Sequence, residues 1–327
     1  MWCWRKRVRS PWPAWRMATD TGGAVRGHVE LAPAKINLTL HVTGQRADGY
    51  HLLDSLVVFA DVGDRLTLRR ADRPALTVTG PMAAGVPVGP ENLVLRAAAR
   101  MGVDLEIGLE KHLPSAAGIG GGSSDAAAVL RGAVALVPGL HLPADQGLSL
   151  GADVPVCLMA RAARMRGIGE VVVPVEGLPP LYAVLVNPGV SVSTAVIFRS
   201  LARKDNAAMP DVLPRWADAG DLAAWLAGQR NDMQDAAVAA APVVGEVIAA
   251  IGATAGCLLA RMSGSGATCF GLYADADAAA RAADALTRPG WWVRAARLSW
   301  GGTPGGAVGA SGGSISGKMK RQGQRLA

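Results

Sequence analysis

Residues Leu113–Val129, LPSAAGIGGGSSDAAAV, decide how this 327-residue chain is read. Pro114 opens the stretch, Ala116 leads into Gly118, Gly120, Gly121 and Gly122, and Ser123, Ser124 and Asp125 follow. The run after them is Ala-rich and apolar, which is good helix-forming composition. Ser or Asp at such a junction suits a helix start, because the side-chain oxygen accepts from an otherwise unpaired amide. Immediately upstream, Asp104–Glu110 (DLEIGLE) alternates like a strand. Strand, glycine loop, helix is the context of a phosphate site: glycine lets the backbone approach a ligand closely, and free N–H groups at a helix start attract an anion. The loop is not a Walker A motif, since no Lys-Ser/Thr follows the glycines, and it is not the G-x-G-x-x-G dinucleotide fingerprint. A plain flexible connector is the bland alternative, and the immediate helical run argues against it.

Outward from the loop, Ile36, Leu38, Leu40 and Val42 alternate with Lys35, Asn37, Thr39 and His41. Period two places Lys35 and Asn37 on one strand face, about 7 Å apart. The turn around Asp48-Gly49-Tyr50-His51 precedes two strand-like runs about Asp61–Asp64, which predict a hairpin. Glu91–Met101 predicts a helix, and a second helix is expected to end near Leu150. Asp153 then lies in GADVP, read as a turn entering a buried strand, VCLMA. An Asp there is by default a cap or an Asx-turn former. Pro179-Pro180 marks a hinge, Leu181–Asn187 a core strand, and residues 194–252 Ala-rich helices. Gly256–Leu272 reads strand, loop (SGSGA), strand, followed by a helix over Asp275–Leu286 and a last strand over Trp291–Leu298.

Half the residues are hydrophobic and 18% are charged, a globular composition. The net charge of +7 belongs to the ends. Residues 1–16 hold five cations and no acid, and the last ten hold four cations, so the body is slightly acidic. That excludes a nucleic-acid binder of the basic-patch kind. Four cysteines show no metal or CxxC spacing, which implies buried, reduced thiols. Neither a secretory leader nor a membrane span is expected, and the chain reads as cytoplasmic. A near P-loop at Gly312–Lys318 has Met319 where Ser or Thr is needed and has no strand or helix around it.

The blocks PAKINLTLHVTGQRADGYHLLDS, GGGSSDAA, LGADVPVCL, NPGVSVSTAVIF and RMSGSGAT, in this order, resemble the GHMP kinase superfamily. Within it they resemble the kinases of the non-mevalonate isoprenoid route, whose substrate is a cytidyl diphosphate. The resemblance spans roughly residues 29–298. It implies an α/β fold in two domains, an ATP-binding half like the second domain of ribosomal protein S5 (residues 27–168) and a ferredoxin-like substrate half (169–300), with the active site in the cleft between them. Residues 1–26, a basic extension, and 301–327, a Gly/Ser-rich basic tail, are expected to be disordered.

The reaction so implied is ATP-dependent phosphorylation of the 2-hydroxyl of a methylerythritol carried on cytidine diphosphate. Asp153 is the implied base, with Lys35 beside it and Asn37 on substrate hydroxyls. Pro114, Ala116, Gly118, Gly120, Gly121, Gly122, Ser123 and Ser124 form the ATP cradle. Mg²⁺ accompanies ATP, with Ser123 or Ser124 as candidate ligand and no carboxylate partner evident. Tyr50 and Phe198 stack on the two faces of the cytosine, His51 hydrogen-bonds it, and the backbone of Ile168 contacts it. Ser263, Gly264, Ser265 and Gly266 close over the substrate. The partners are then ATP and a small cytidyl diphosphate, with neither nucleic acid nor membrane, and the chain is a monomer or weak homodimer. The rival readings are another small-molecule GHMP kinase, for homoserine or a sugar, and a non-catalytic S5-like nucleic-acid-binding protein. The loop tip PSAAGI departs from the PMGGGL common among relatives, and the role of Asp125 stays open.

Overall fold

The alternating stretch PAKINL forms the end of strand β1 (His28–Asn37), and β2 (His41–Gln45) follows after a short break. Both pair antiparallel with β3 (His51–Arg70), one continuous strand of 20 residues. The hairpin expected at Asp61–Asp64 is therefore absent. Gly63 gives the reason: a Cβ on it would lie 2.4 Å from the Ala32 carbonyl of β1. The glycine marks a close approach of two strands rather than a turn.

The computed structural model describes residues 27–298. The two terminal segments expected to be disordered, and the near P-loop in the second of them, lie outside the described residues. After β3 come β4 (Ala75–Thr79), α1 (Leu93–Met101), β5 (Leu105–Glu110) and α2 (Gly121–Leu136). Helix α1 starts on Asn92, whose side chain accepts from the Val94 N–H, and ends on a left-handed Gly102. No second helix runs to Leu150; α2 stops at Leu136, and a single 3₁₀ turn covers Leu148–Leu150. VCLMA is not a strand but the short helix α3 (Val154–Met159), packed on α2. A brief apolar run cannot be told from a buried strand by periodicity, and Pro155 fits a helix's first turn, where an N–H is not needed. Strands β6 (Ala163–Gly167) and β7 (Val171–Pro174) form a hairpin laid on β3.

The remaining chain gives β8 (Leu181–Asn187), α4 (Thr194–Ser200), α5 (Ala219–Ala227), α6 (Gln234–Ala240), α7 (Val243–Gly252), β9 (Leu259–Met262), β10 (Cys269–Tyr273), α8 (Ala276–Leu286) and β11 (Trp292–Leu298). Their strands run in the order β11-β8-β10-β9 and join the first sheet where Leu298 pairs with Ala60 of β3. The architecture is the expected α/β build in two halves.

Each half has a core of its own. Val57, Leu66, Leu105 and Ile107 pack with α1, α2 and α3, and Val184, Val186, Val247 and Tyr273 pack with α7 and α8. A third core straddles the seam: Ile36, Leu38 and Leu56 meet Leu185, Leu222 and Phe270 from the other half. Leu113, Ala117 and Ile119 of the glycine loop are buried in this same seam. The loop is thus nailed by its apolar side chains to the junction of the two halves.

Candidate active site

Backbone bonds fix the loop from both sides. The Lys35 N–H of β1 donates to the Ile119 carbonyl at 2.9 Å, and the Thr268 N–H donates to the Ala117 carbonyl at 3.1 Å. Gly118 and Gly120 are left-handed, with φ of 73° and 65°. A Cβ on Gly118 would sit 2.4 Å from the Ser263 carbonyl, and one on Gly120 would press on the Lys35 side chain at 3.2 Å. Both positions demand glycine for conformation and for space. Helix α2 begins on Gly120 with no side-chain cap, so its leading N–H groups are open toward the cleft. An uncapped helix start beside a buried cation fits a polyphosphate.

The cation is Lys35. It is only 3% exposed, and its Nζ donates to Asn37 Oδ1 at 2.8 Å and to Asp153 Oδ2 at 2.9 Å. The sequence alternation led one to expect a solvent-facing polar row, yet Lys35, Asn37, Thr39 and His41 are all buried, because both faces of the strand are covered. Asp153 stands at the N-cap position of α3 but makes no capping hydrogen bond. Its carboxylate is 30% exposed and given to Lys35 instead. That removes the bland reading of Asp153 as a cap and leaves a lysine–aspartate pair, buried on the lysine side and open on the aspartate side, next to the glycine loop. Such a pair fixes the direction of a carboxylate that can accept a proton and offers a cation to an anionic transferring group.

Asn37 is fully buried, and both ends of its amide are engaged: it accepts from Lys35 and donates to Ser55 Oγ at 2.8 Å. Its contact is with Lys35 rather than with the open cleft. Ser263 Oγ accepts from the Asn37 N–H and donates to the Gly118 carbonyl, both at 3.1 Å, so the SGSGA turn is fastened to β1 and to the glycine loop. A Cβ on Gly264 would lie 2.5 Å from the Gly118 carbonyl, and Gly266 also backs on Gly118. Asn231 holds the turn from behind, donating to the Met262 and Gly264 carbonyls at 2.9 Å each. Ser265 Oγ meets Thr194 Oγ1 at 2.7 Å, which ties the turn to the start of α4.

Of the two hydroxyls proposed for a metal, Ser124 is fully buried and donates to the Pro33 carbonyl at 2.8 Å. Ser123, half-buried at the cleft, is the one that fits. Among the described residues no group of three or more His, Cys, Asp or Glu could hold a metal ion. Pro114 is buried, while Ala116 is exposed at the loop tip with a positive φ of 49°.

The expected base-binding residues gather at a second wall. Tyr50 is 58% exposed. His51 stacks on Phe198 of α4, centroids 4.3 Å apart and planes within 15°, so His51 itself covers one face of Phe198. Burial, then the charge of Lys204, lowers the His51 pKa and keeps the ring neutral. Its Nε2 is buried without a partner. Leu53 pairs with Gly167, which brings the β6–β7 turn alongside. In that turn the Ile168 N–H donates to Glu170 Oε2 at 2.6 Å, leaving its carbonyl as the backbone group for a ligand. A Cβ on Gly169 would lie 2.1 Å from the Ala152 carbonyl, so this turn rests directly on the segment carrying Asp153.

Sequence reasoning missed a buried group beneath the loop. Lys111 Nζ donates to Asp64 Oδ2 and, at 2.8 Å, to Asp125 Oδ2, and all three side chains are at most 4% exposed. Burial pushes Asp125 up, to about 8; attraction to Lys111 opposes the shift and repulsion from Asp64 adds to it. Burial pulls Lys111 down, but its two carboxylates outweigh that, and its pKa lies above the ordinary value. Lys111 stands next to the loop and was within reach of a reading by position. Asp64, 47 residues away, carried no signal.

Comparison with known proteins identifies the family. Residues 92–161 match the model for the GHMP kinases N-terminal domain, and residues 207–290 match that for the GHMP kinases C-terminal. A Dinoroseobacter shibae protein named 4-diphosphocytidyl-2-C-methyl-D-erythritol kinase is 63% identical over 85% of this chain and 98% of its own length. One of the same name from Ruegeria pomeroyi is 54% identical over 82% of this chain and 98% of its own. A crystal structure of a 4-(cytidine 5'-diphospho)-2C-methyl-D-erythritol kinase superposes with a TM-score of 0.68 at 36% identity, covering 84% of this chain and all of the other. Homoserine kinase from Cytophaga hutchinsonii, at 21% identity and a TM-score of 0.57, shares the fold.

Proposed function

This chain belongs to the 4-diphosphocytidyl-2-C-methyl-D-erythritol kinases of the GHMP kinase superfamily, and from that membership we propose how its own residues carry out phosphoryl transfer from ATP to the substrate's 2-hydroxyl. The observation that carries the reading is the Lys35–Asp153 pair set against an uncapped glycine-loop helix. Phosphoryl transfer requires an aligned hydroxyl, neutralised phosphate charge and a proton acceptor, and little else from the protein.

Asp153 Oδ2 is held by Lys35, and the exposed part of its carboxylate meets the incoming hydroxyl and takes its proton. Lys35 holds that carboxylate in place at 2.9 Å and faces the transferring group. Asn37 and Ser55 hold the ammonium in place, which makes Asn37 a positioning residue by its contacts. The open N–H groups of Gly121, Gly122 and Ser123 receive the triphosphate, and of Ser123 and Ser124 it is Ser123 whose hydroxyl would be left for Mg²⁺, since Ser124 is buried on the Pro33 carbonyl. ATP supplies the phosphoryl group and Mg²⁺ neutralises its charge.

Tyr50, His51, Phe198 and the Ile168 carbonyl form the cytidyl site. His51 lies on Phe198 where a base would stack, so the ring must shift to admit a base between Tyr50 and Phe198. The unpartnered Nε2 of His51 is the atom reserved for the base. Residues 27–168 then carry the nucleotide loop together with Tyr50, His51 and Ile168, and residues 169–300 bring Phe198 and the SGSGA turn to the substrate. No helix among the described residues is long and apolar enough to cross a membrane. The test is ³¹P NMR of ATP with each acceptor: phosphate should appear on the cytidyl substrate. Turnover of homoserine or a hexose in its place would reject the assignment.

A further inference from the structure

The glycine loop begins just after Lys111 and ends where α2 starts at Gly121. Both of its ends converge on one buried ammonium. Lys111 Nζ reaches Asp64 of β3 and Asp125, the fifth residue of α2. Asp64 uses its other oxygen, Oδ1, to accept the N–H groups of His112 at 2.6 Å and Leu113 at 2.9 Å, the first residues of the loop. A Cβ on Gly121 would lie 3.7 Å from Lys111 Nζ and 4.0 Å from Asp64 Oδ2, so the first residue of α2 sits on the same group. Strand β3, loop entry and loop exit are thereby tied at one point.

We propose that Lys111, Asp64 and Asp125 form a clasp that positions the phosphate loop, setting the direction of the α2 N–H groups toward the nucleotide without touching it. The clasp rests on the reading of this loop as the ATP site. An apolar trio of similar volume could fill the same space and hold the fold, since a buried ion pair is not in itself a source of stability. Charge-assisted hydrogen bonds add direction: they fix the entry and exit of the loop relative to each other and to β3. The seam core grips the loop through the apolar side chains of Leu113, Ala117 and Ile119. The glycines between, at left-handed φ, have no side chains to brace them. The loop's interior carbonyls are held at Ala117, Gly118 and Ile119, and the clasp adds what fixes its two ends.

A positioning role of this kind separates the two substrates. Nucleotide affinity should fall when the clasp is broken, while the cytidyl site, built on the start of β3, the β6–β7 turn and α4, should be untouched. The full chain is titrated calorimetrically with Mg²⁺ and the non-hydrolysable analogue AMP-PNP, and KM for the cytidyl substrate is measured in parallel. Lys111→Met is expected to raise the AMP-PNP Kd about tenfold or more while the cytidyl KM stays within about twofold. Asp125→Asn keeps an acceptor for Lys111 and is expected to stay within about threefold, whereas Asp125→Ala loses about fivefold or more. Should Lys111→Met fail to fold, the contrast between the two Asp125 variants decides. Equal Kd for Asp125→Asn and Asp125→Ala, or parallel loss of both substrates, overturns the clasp. Absence of AMP-PNP binding by the wild-type chain overturns the nucleotide reading itself, whereas undiminished binding by every variant overturns the clasp alone.

Discussion

Replacing Lys35 by Met removes one charge from the centre of the cleft while nearly preserving volume, and its effect can be worked from the geometry. Nζ lies 2.9 Å from Asp153 Oδ2. At an effective dielectric of about 20, unit charges at that separation attract by roughly 6 kcal/mol. Asp153 is 30% exposed, however, and water on its open side screens the pair. Taking about half leaves roughly 3 kcal/mol of attraction that fixes the carboxylate beside the ammonium. If the same cation gives a comparable amount to the negative charge of the transferring phosphoryl group, then at about 1.4 kcal/mol per tenfold in rate turnover should fall about 100-fold. The substitution also strips the donor from the buried Asn37 Oδ1, at a stability cost of about 1–3 kcal/mol. The assay is kcat by enzyme-coupled detection of ADP at saturating substrates, run well below the variant's own Tm. A folded Lys35→Met enzyme with kcat within about fivefold of wild type would contradict the reasoning, because no screening of a buried pair at this distance is that complete.

Three further outcomes are expected. Asp153→Asn should retain AMP-PNP binding and lose about 10²- to 10⁴-fold in kcat, as when a proton acceptor is removed; near-normal turnover would show that the acceptor is another group. Tyr50→Ala should raise the cytidyl KM about five- to a hundredfold by removing a stacking face, with the ATP KM unmoved; an unchanged cytidyl KM would place the base elsewhere. The third concerns pH and Asp125. Its pKa in the folded protein is pushed up to about 8, mainly by burial. The folded chain therefore holds this proton more tightly than the unfolded one does, so the associated stability is complete below about pH 4 and is lost as pH rises toward 8. Tm measured from pH 5 to 8.5 should decline less steeply for Asp125→Asn than for wild type, and parallel curves would refute the assignment.

What was legible in the sequence was local. The phosphate loop declared itself because strand, glycines, serines and helix are contiguous and each has its own physical reason. Most core strands and Ala-rich helices were legible for the same cause. The errors fall where local pattern and tertiary contact disagree. DVGD looks like a turn, yet Gly63 is there because β1 passes within contact of it. VCLMA looks like a strand because five apolar residues in a row carry no period, and only packing on α2 makes it a helix. The Lys111 clasp joins residues from three elements, and no spacing rule connects Asp64 to Asp125.

The identities of Lys35 and Asp153 were readable, but the reason they work together was not. Alternation in PAKINLTLHV predicts one covered face and one wet face, and a wet lysine is ordinarily a solubilising one. The second face is covered because β1 lies where the two halves meet, with the seam core on one side and α2 and α3 against it on the other. That topological fact, invisible in a period of two, converts Lys35 from a surface charge into a buried one that must be paired. Once Lys35 must be paired, Asp153 is drawn away from capping α3 and its carboxylate is fixed at the mouth of the cleft. The same seam buries Leu113 and Ile119 of the glycine loop. Burial of one strand's second face therefore determines at once where the loop, the cation and the proton acceptor stand. It also makes the site vulnerable as a unit: a substitution that loosens the seam at Ile36 or Leu185, far from any ligand, should disturb the lysine–aspartate pair and the phosphate loop together.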